Sequence, residues 1–257
     1  MPQTRQTFLN CPDWVMARPI AHRGLHDIND GRVENSLAAA RAAVESRYAI
    51  ECDVILSRDG EAMIFHDDDL PRLTGMQGLV KDHTAQQLQQ IALLGGNGET
   101  IPTLAQLLET IGGKVPLICE IKSNFDRQAA LTHRSIAVVK GYSGPVAFKS
   151  FDPMVVEWLR ELAPDHPRGI VGQSSYRGAD RIGLTADQIA ELVKLTHWSR
   201  TEPDFMSWRY KDLGQPAPYV SRTDVGVPVM SWTITNRRQQ LLALQDANQI
   251  VFEGFLP

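Results

Sequence analysis

Short apolar runs alternate along this chain with longer stretches whose apolar residues recur every three to four positions. The first pattern is that of strands and the second that of amphipathic helices. Strand-like runs fall at 19–24, 49–56, 63–67, 116–122, 145–151, 168–173, 204–210, 227–234 and 250–255. Helical patterns fall at 37–47, 103–111, 127–140, 154–163, 185–194 and 237–246, the first beginning near Asn35, which can cap it. Strand-then-helix units predict a mostly parallel sheet with right-handed crossovers. The order predicts an α/β fold, a TIM (β/α)8 barrel, in a single domain over residues 1–257. A doubly wound open sheet is the alternative, but no G-x-G-x-x-G opens a helix, and Gly95, Gly96 and Gly98 follow Leu-Leu and read as loop.

Two departures from regular alternation stand out. Nine strand-like runs exceed the eight a barrel needs, so one is not a barrel strand or belongs to a hairpin at Asp59–Gly60, a strong turn signal. From 67 to 103 the pattern dissolves into polar, glycine-containing segments, which predicts a small inserted lobe after the third strand, with one short helix. Residues 1–17 form a polar lead-in suited to closing the bottom of the barrel.

A length of 257 residues matches one such barrel, about 250 residues. The net charge of -4 gives no support to nucleic-acid binding. Cys11, Cys52 and Cys119 show no metal-binding or disulfide spacing and read as buried free thiols. With no apolar run near 18 residues and no leader-like start, no stable membrane association is expected and the cytoplasm is the expected location.

The chemistry-bearing residues sit at strand ends. Glu51 and Asp53, two apart in 49–56, project to one face of a strand. Side by side they repel unless a cation lies between them. Glu120 and Lys122 repeat the spacing, and His22, Arg23 and His66 follow short apolar runs. Histidines can exchange protons near neutral pH, and Arg23 and Lys122 can hold phosphate oxygens. The bland alternative for the three acids is salt bridging to Arg23 and Lys122 without metal. Three acids against two cations leave a surplus negative charge, which favours one divalent cation on Glu51, Asp53 and Glu120, Mg²⁺ or Ca²⁺ given the all-oxygen donors. Trp232 lines the pocket or packs in the core. Asp204 is a candidate pocket acid or a surface turn, and the remaining histidines read as surface or structural.

The ordered series H-R-G, E-N-S, E-C-D, D-G, H-D, E-I-K, S-F and W-T, from Ile20 to Thr233, resembles the glycerophosphodiester phosphodiesterase family. The resemblance implies a barrel enzyme that cleaves a small-molecule phosphodiester to an alcohol and glycerol phosphate. His22 and His66 would be the acid-base pair, Glu51, Asp53 and Glu120 the metal ligands, Arg23, Lys122 and Trp232 substrate contacts, and Glu34 and Asn35 supports that orient His22. Val33, Ser36 and Ser57 replace the family's usual residues mildly. More consequential is the end, I-V-F-E-G-F-L-P, where Glu253 stands in place of the aspartate of an I-I-T-D-x-P-like strand. The alternatives are a phosphodiesterase acting on a lysophospholipid or another phosphodiester conjugate, and a non-catalytic phosphate-binding barrel, although every proposed ligand is present.

Overall fold

The computed structural model describes residues 10–178 and 183–257; the first nine residues of the lead-in lie outside them. Among the described residues, nine strands form one sheet: β1 (Ile20–Ala21), β2 (Ala49–Leu56), β3 (Ala62–Ile64), β4 (Leu117–Ile121), β5 (Val146–Ser150), β6 (Arg168–Gly172), β7 (Phe205–Arg209), β8 (Val229–Ile234) and β9 (Gln249–Phe252). Eight of them run parallel and close, because β1 pairs with both β2 and β9. The ninth, β3, pairs antiparallel with the far end of β2. It is the returning arm of the Asp59–Gly60 hairpin, which accounts for the surplus strand expected from the sequence. The chain is an eight-stranded α/β barrel.

The main helices, Leu37–Glu45, Leu104–Ile111, Ala130–Val139, Pro153–Leu162, Ala186–Lys194 and Arg237–Asp246, fall on the amphipathic stretches. Local chemistry starts them: Ser36 caps the first through Ala39 N, and Thr103–Gln106 and Thr185–Gln188 form reciprocal capping boxes. Asn35 is not the cap.

Alternation along each strand splits the apolar residues into two cores. Outward-facing Cys52, Val54, Cys119, Phe148, Ile170, Met206, Trp208 and Phe252 pack beneath the helices. Inward-facing Ile20, Ala49, Ile118, Ala147, Phe205, Met230 and Val251 fill the bottom of the barrel with Cys11 and Val15 of the lead-in. Gln249 ties this plug on by donating to the Met16 carbonyl. The Phe205 ring occupies the space a side chain at Gly169 would need, 2.2 Å from where its Cβ would stand.

Residues 67–103 carry a core of their own, in which Leu70, Val80, Leu88, Ile91, Leu93 and Ile101 pack on Met63, Phe65 and Ile55. This segment holds two short α-helical turns, Pro71–Thr74 and Ala85–Leu88, and a 3-10 turn, Val80–Asp82, rather than one short helix.

Candidate active site

On five strands the inward-facing residue that follows the apolar plug is polar or charged. Two positions beyond Ile20, Ala49, Ile118, Ala147 and Val251 stand His22, Glu51, Glu120, Lys149 and Glu253. One further step on β2 and β4 brings in Asp53 and Lys122. Because the parallel register sets Glu51 level with Ile118, Asp53 with Glu120, and Glu120 with Lys149, the three acids converge. Each offers a carboxylate oxygen within 4.8 Å of the others, and all three are at least 94% buried.

Backbone geometry locks the first loop over these acids. Arg23 and Asn35 both adopt positive φ, 56° and 58°, a conformation that non-glycine residues hold only where their surroundings demand it. Arg23 N donates to Glu51 Oε2 at 3.0 Å and Asn35 N to the Arg23 carbonyl at 2.8 Å. Gly24, at φ 81°, passes so close to Ala39 that a Cβ would lie 2.9 Å from the alanine methyl. The H-R-G triplet is thus a turn that aims His22 inward and passes under the first helix.

The Asn35 amide donates to Asp53 Oδ2 (3.0 Å) and its carbonyl accepts from Asp53 N (3.2 Å). Glu34 bonds Arg23 Nη1 (2.6 Å) and both terminal nitrogens of Arg72 (2.9 Å each). Glu34 and Asn35 therefore hold Arg23 and Asp53; the expected orientation of His22 by this pair is not what their bonds do. That partner is Glu253, whose Oε2 lies 2.6 Å from His22 Nδ1 and 3.7 Å from His26 Nε2. His66 has the equivalent in Asp67, Oδ1 at 2.7 Å from Nδ1, and Asp67 is in turn gripped by Arg72. A run of charged contacts therefore leads from Asp53 through Arg23, Glu34, Arg72 and Asp67 to His66.

The electrostatics follow from burial opposed by close partners. Burial pushes the Asp53 carboxyl up, but Lys122, the two imidazoles and Arg23 outweigh it and hold the group well below its usual range. Glu120 is likewise lowered against its burial by Lys149 and Lys122. Burial pushes Lys149 and Lys122 down, yet the acids raise both above the ordinary lysine value. The bond from His22 holds Glu253 well below the carboxylate range.

Three residues were not singled out by the sequence: Lys149, Glu253's partner His26, and Arg72. Lys149 Nζ lies 3.0 Å from Glu51 Oε1 and 2.9 Å from Glu120 Oε2. It overturns the surplus of negative charge read from the sequence, since Arg23, Lys122 and Lys149 together balance the three acids. A charged residue two beyond Ala147 in an apolar run was the available signal, the same one that marked Glu120. Asp204 is neither pocket acid nor surface turn: it is 8% exposed at the start of β7, where it accepts from Arg168 N and pairs with the Arg168 guanidinium at the opposite end of the barrel. Trp232, half-buried on β8, donates to the Ser207 carbonyl (3.1 Å) and stands edge-on to Phe151. Cys11, Cys52 and Cys119 are buried and unpaired.

Residues 22–247 match the model of the glycerophosphoryl diester phosphodiesterase family. The chain belongs to this family. It is 32% identical over 163 residues to a glycerophosphodiester phosphodiesterase of Caldanaerobacter subterraneus, a match spanning 60% of this chain and 66% of that protein. It is 30% identical over 187 residues to a putative glycerophosphodiester phosphodiesterase of Bacillus subtilis, covering 69% and 75% of the two chains. Among solved structures, a phosphodiesterase of Oleispira antarctica in complex with the product sn-glycerol-3-phosphate superposes with a TM-score of 0.76 at 25% identity, over 93% of this chain and 94% of that one. A putative glycerophosphoryl diester phosphodiesterase of Agrobacterium tumefaciens shares the fold at 18% identity and a TM-score of 0.73, over 92% of each chain. Among the described residues, no helix is long and apolar enough to cross a membrane.

Proposed function

We propose that this chain hydrolyses glycerophosphodiesters, small-molecule substrates, to glycerol phosphate and a free alcohol, with residues 67–103 forming a lobe on a single barrel domain. The observation that carries the reading is the convergence of Glu51, Asp53 and Glu120 at a mouth bordered by two histidines, each with a carboxylate on Nδ1. A carboxylate on Nδ1 favours the tautomer that leaves Nε2 turned to the reaction, as His22 Nε2 is, 4.0 Å from Glu51. One imidazole takes the proton of the attacking hydroxyl or water and the other returns one to the leaving oxygen. Arg23 and Lys122 attract the phosphate and hold its non-bridging oxygens. Trp232, with Phe151 beside it, forms a wall for the alcohol group.

The three carboxylates suit a hard divalent ion, Mg²⁺ or Ca²⁺, in donor type and spacing. Such an ion would draw charge from the phosphoryl oxygens as the bond to the leaving group breaks. Hydrolysis of a panel of glycerophosphodiesters, with and without chelator, tests the reading. Turnover lost to EDTA and restored by a divalent ion supports it, whereas full turnover in EDTA contradicts the metal ligands.

A lysophospholipid is the second substrate class, and one observation favours it. Ile28, Met76, Leu79 and Leu94 are exposed on the lobe and the loop beside it, with Ile28 against Gly95 and Leu94 against Gly75. Such a rim would suit an acyl chain. Faster turnover of lysophosphatidylcholine than of glycerophosphocholine would select that class.

A further inference from the structure

The acid cluster is already saturated by the chain itself. Glu51 Oε1 and Glu120 Oε2 face Lys149 Nζ, Glu51 Oε2 accepts from Arg23 N, and Glu120 Oε1 faces Lys122 Nζ at 3.4 Å. Asp53 Oδ1 faces Lys122 Nζ at 3.5 Å, and its Oδ2 accepts from Asn35 Nδ2 and lies 3.2 Å from Arg23 Nε in an ion-pair contact. Every carboxylate oxygen of the proposed ligand set thus has a donor or cation beside it, and three positive side chains balance three negative ones. Lys122 and Arg23 reach in from the mouth, 25% and 16% exposed, where they can swing toward a phosphate. Lys149 differs. It rises from inside the barrel on β5, its side chain is 3% exposed, and it stands between two of the three acids.

We propose that Lys149 is a resident cation of this cluster. Its ammonium fills the charge position between Glu51 and Glu120, so the acids are held together without metal. A divalent ion must then share or displace that contact, and binds weakly and exchangeably. Ligand charge sets divalent affinity in oxygen sites, and a fixed ammonium among the ligands subtracts from it. The Lys149 side chain is 3% exposed, so the charge cannot withdraw to solvent at little cost. This inference rests on Glu51, Asp53 and Glu120 being the ion's ligands and says what opposes the ion there.

The test is calorimetric titration of the full chain with Mn²⁺, beside thermal unfolding with and without EDTA, for wild type and Lys149→Met. Methionine keeps much of the volume and removes the charge. Wild type should bind with a Kd on the order of 1 mM, and EDTA should leave its Tm unmoved. Lys149→Met should bind Mn²⁺ at least about tenfold more tightly, with a lowered Tm that rises again with Mn²⁺. Equal affinity in the two proteins overturns the proposal. If the variant does not fold, wild type decides alone: a Kd below about 10 µM, or a Tm that falls with EDTA, overturns it. A chain that shows this binding pattern but cleaves no phosphodiester refutes the proposed activity and leaves the role of Lys149 standing; active protein with tight wild-type binding does the reverse.

Discussion

The two halves of the barrel interior are built on the same strands and share almost nothing else. Below, Ile20, Ala49, Ile118, Ala147, Phe205, Met230 and Val251 pack against the Cys11 and Val15 plug. One inward step higher, His22, Glu51, Glu120, Lys149 and Glu253 meet as ions and hydrogen-bonding groups. The difference teaches that stability and chemistry occupy separate layers. The lower layer gains from removing apolar surface from water, and the upper layer holds buried charges whose desolvation roughly cancels their attraction. Fixed dipoles and ions at the mouth are costly to assemble, and the rigid layer beneath is what keeps them in register.

The widest separation is expected from a pair of truncations. His22→Ala should lower kcat/KM by about 10²–10⁴, the usual contribution of a positioned acid or base, while moving Tm little. A loss under tenfold would place the proton transfer elsewhere. In the other layer, Phe205→Ala empties a site with 0% exposure and should cost about 3–5 kcal/mol in denaturant unfolding, with kcat per folded molecule unchanged. If it abolishes activity in protein that is still folded, the layers are not independent.

Acid stability sharpens the contrast, because its first loss should come from neither layer. His197, 0% exposed beside the outer helices, is lowered by burial, and secondarily by Arg200, from 6.5 to about 4. The fold therefore favours its neutral form, while the unfolded chain takes up a proton below pH 6.5. Stability is complete above that pH and falls between 6.5 and 4, by up to about 3 kcal/mol. His197→Gln should flatten this slope in urea unfolding at stepped pH. Asp53 and Glu120 are held below their ordinary carboxylate values, so their contribution is lost only as pH falls through the carboxylate range. An unchanged slope in His197→Gln would assign the early loss elsewhere.

The smallest effect is expected at Glu253. Glu253→Gln keeps the size and removes the charge that orients His22, and should lower kcat by about ten- to a hundredfold with KM nearly constant. A change confined to KM would make Glu253 a substrate contact instead.

Much of this arrangement was legible because strand periodicity is strict. Glu51 with Asp53, and Glu120 with Lys122, had to share a face, and the Asp59–Gly60 turn offered one of two accounts of the ninth run, the one the β2–β3 pairing selects. What periodicity does not carry is which strands are neighbours. The Lys149 contacts depend on the register of β5 against β4, and the pairing of His22 with Glu253 spans 231 positions, made adjacent only where β9 closes on β1. Asn35 was misread for a local reason: Asn and Ser both cap helices, and here Ser36 caps while positive φ at Asn35 turns its amide to Asp53.

The central claim is that the charged layer cleaves a phosphodiester through two histidines acting together. It is tested most directly by ³¹P NMR of glycerophosphocholine incubated with wild type and with His66→Ala at equal folded concentration and saturating Mg²⁺ or Ca²⁺. The account predicts that glycerol phosphate accumulates with wild type and is lower by orders of magnitude with the variant. Equal accumulation with both proteins would contradict it.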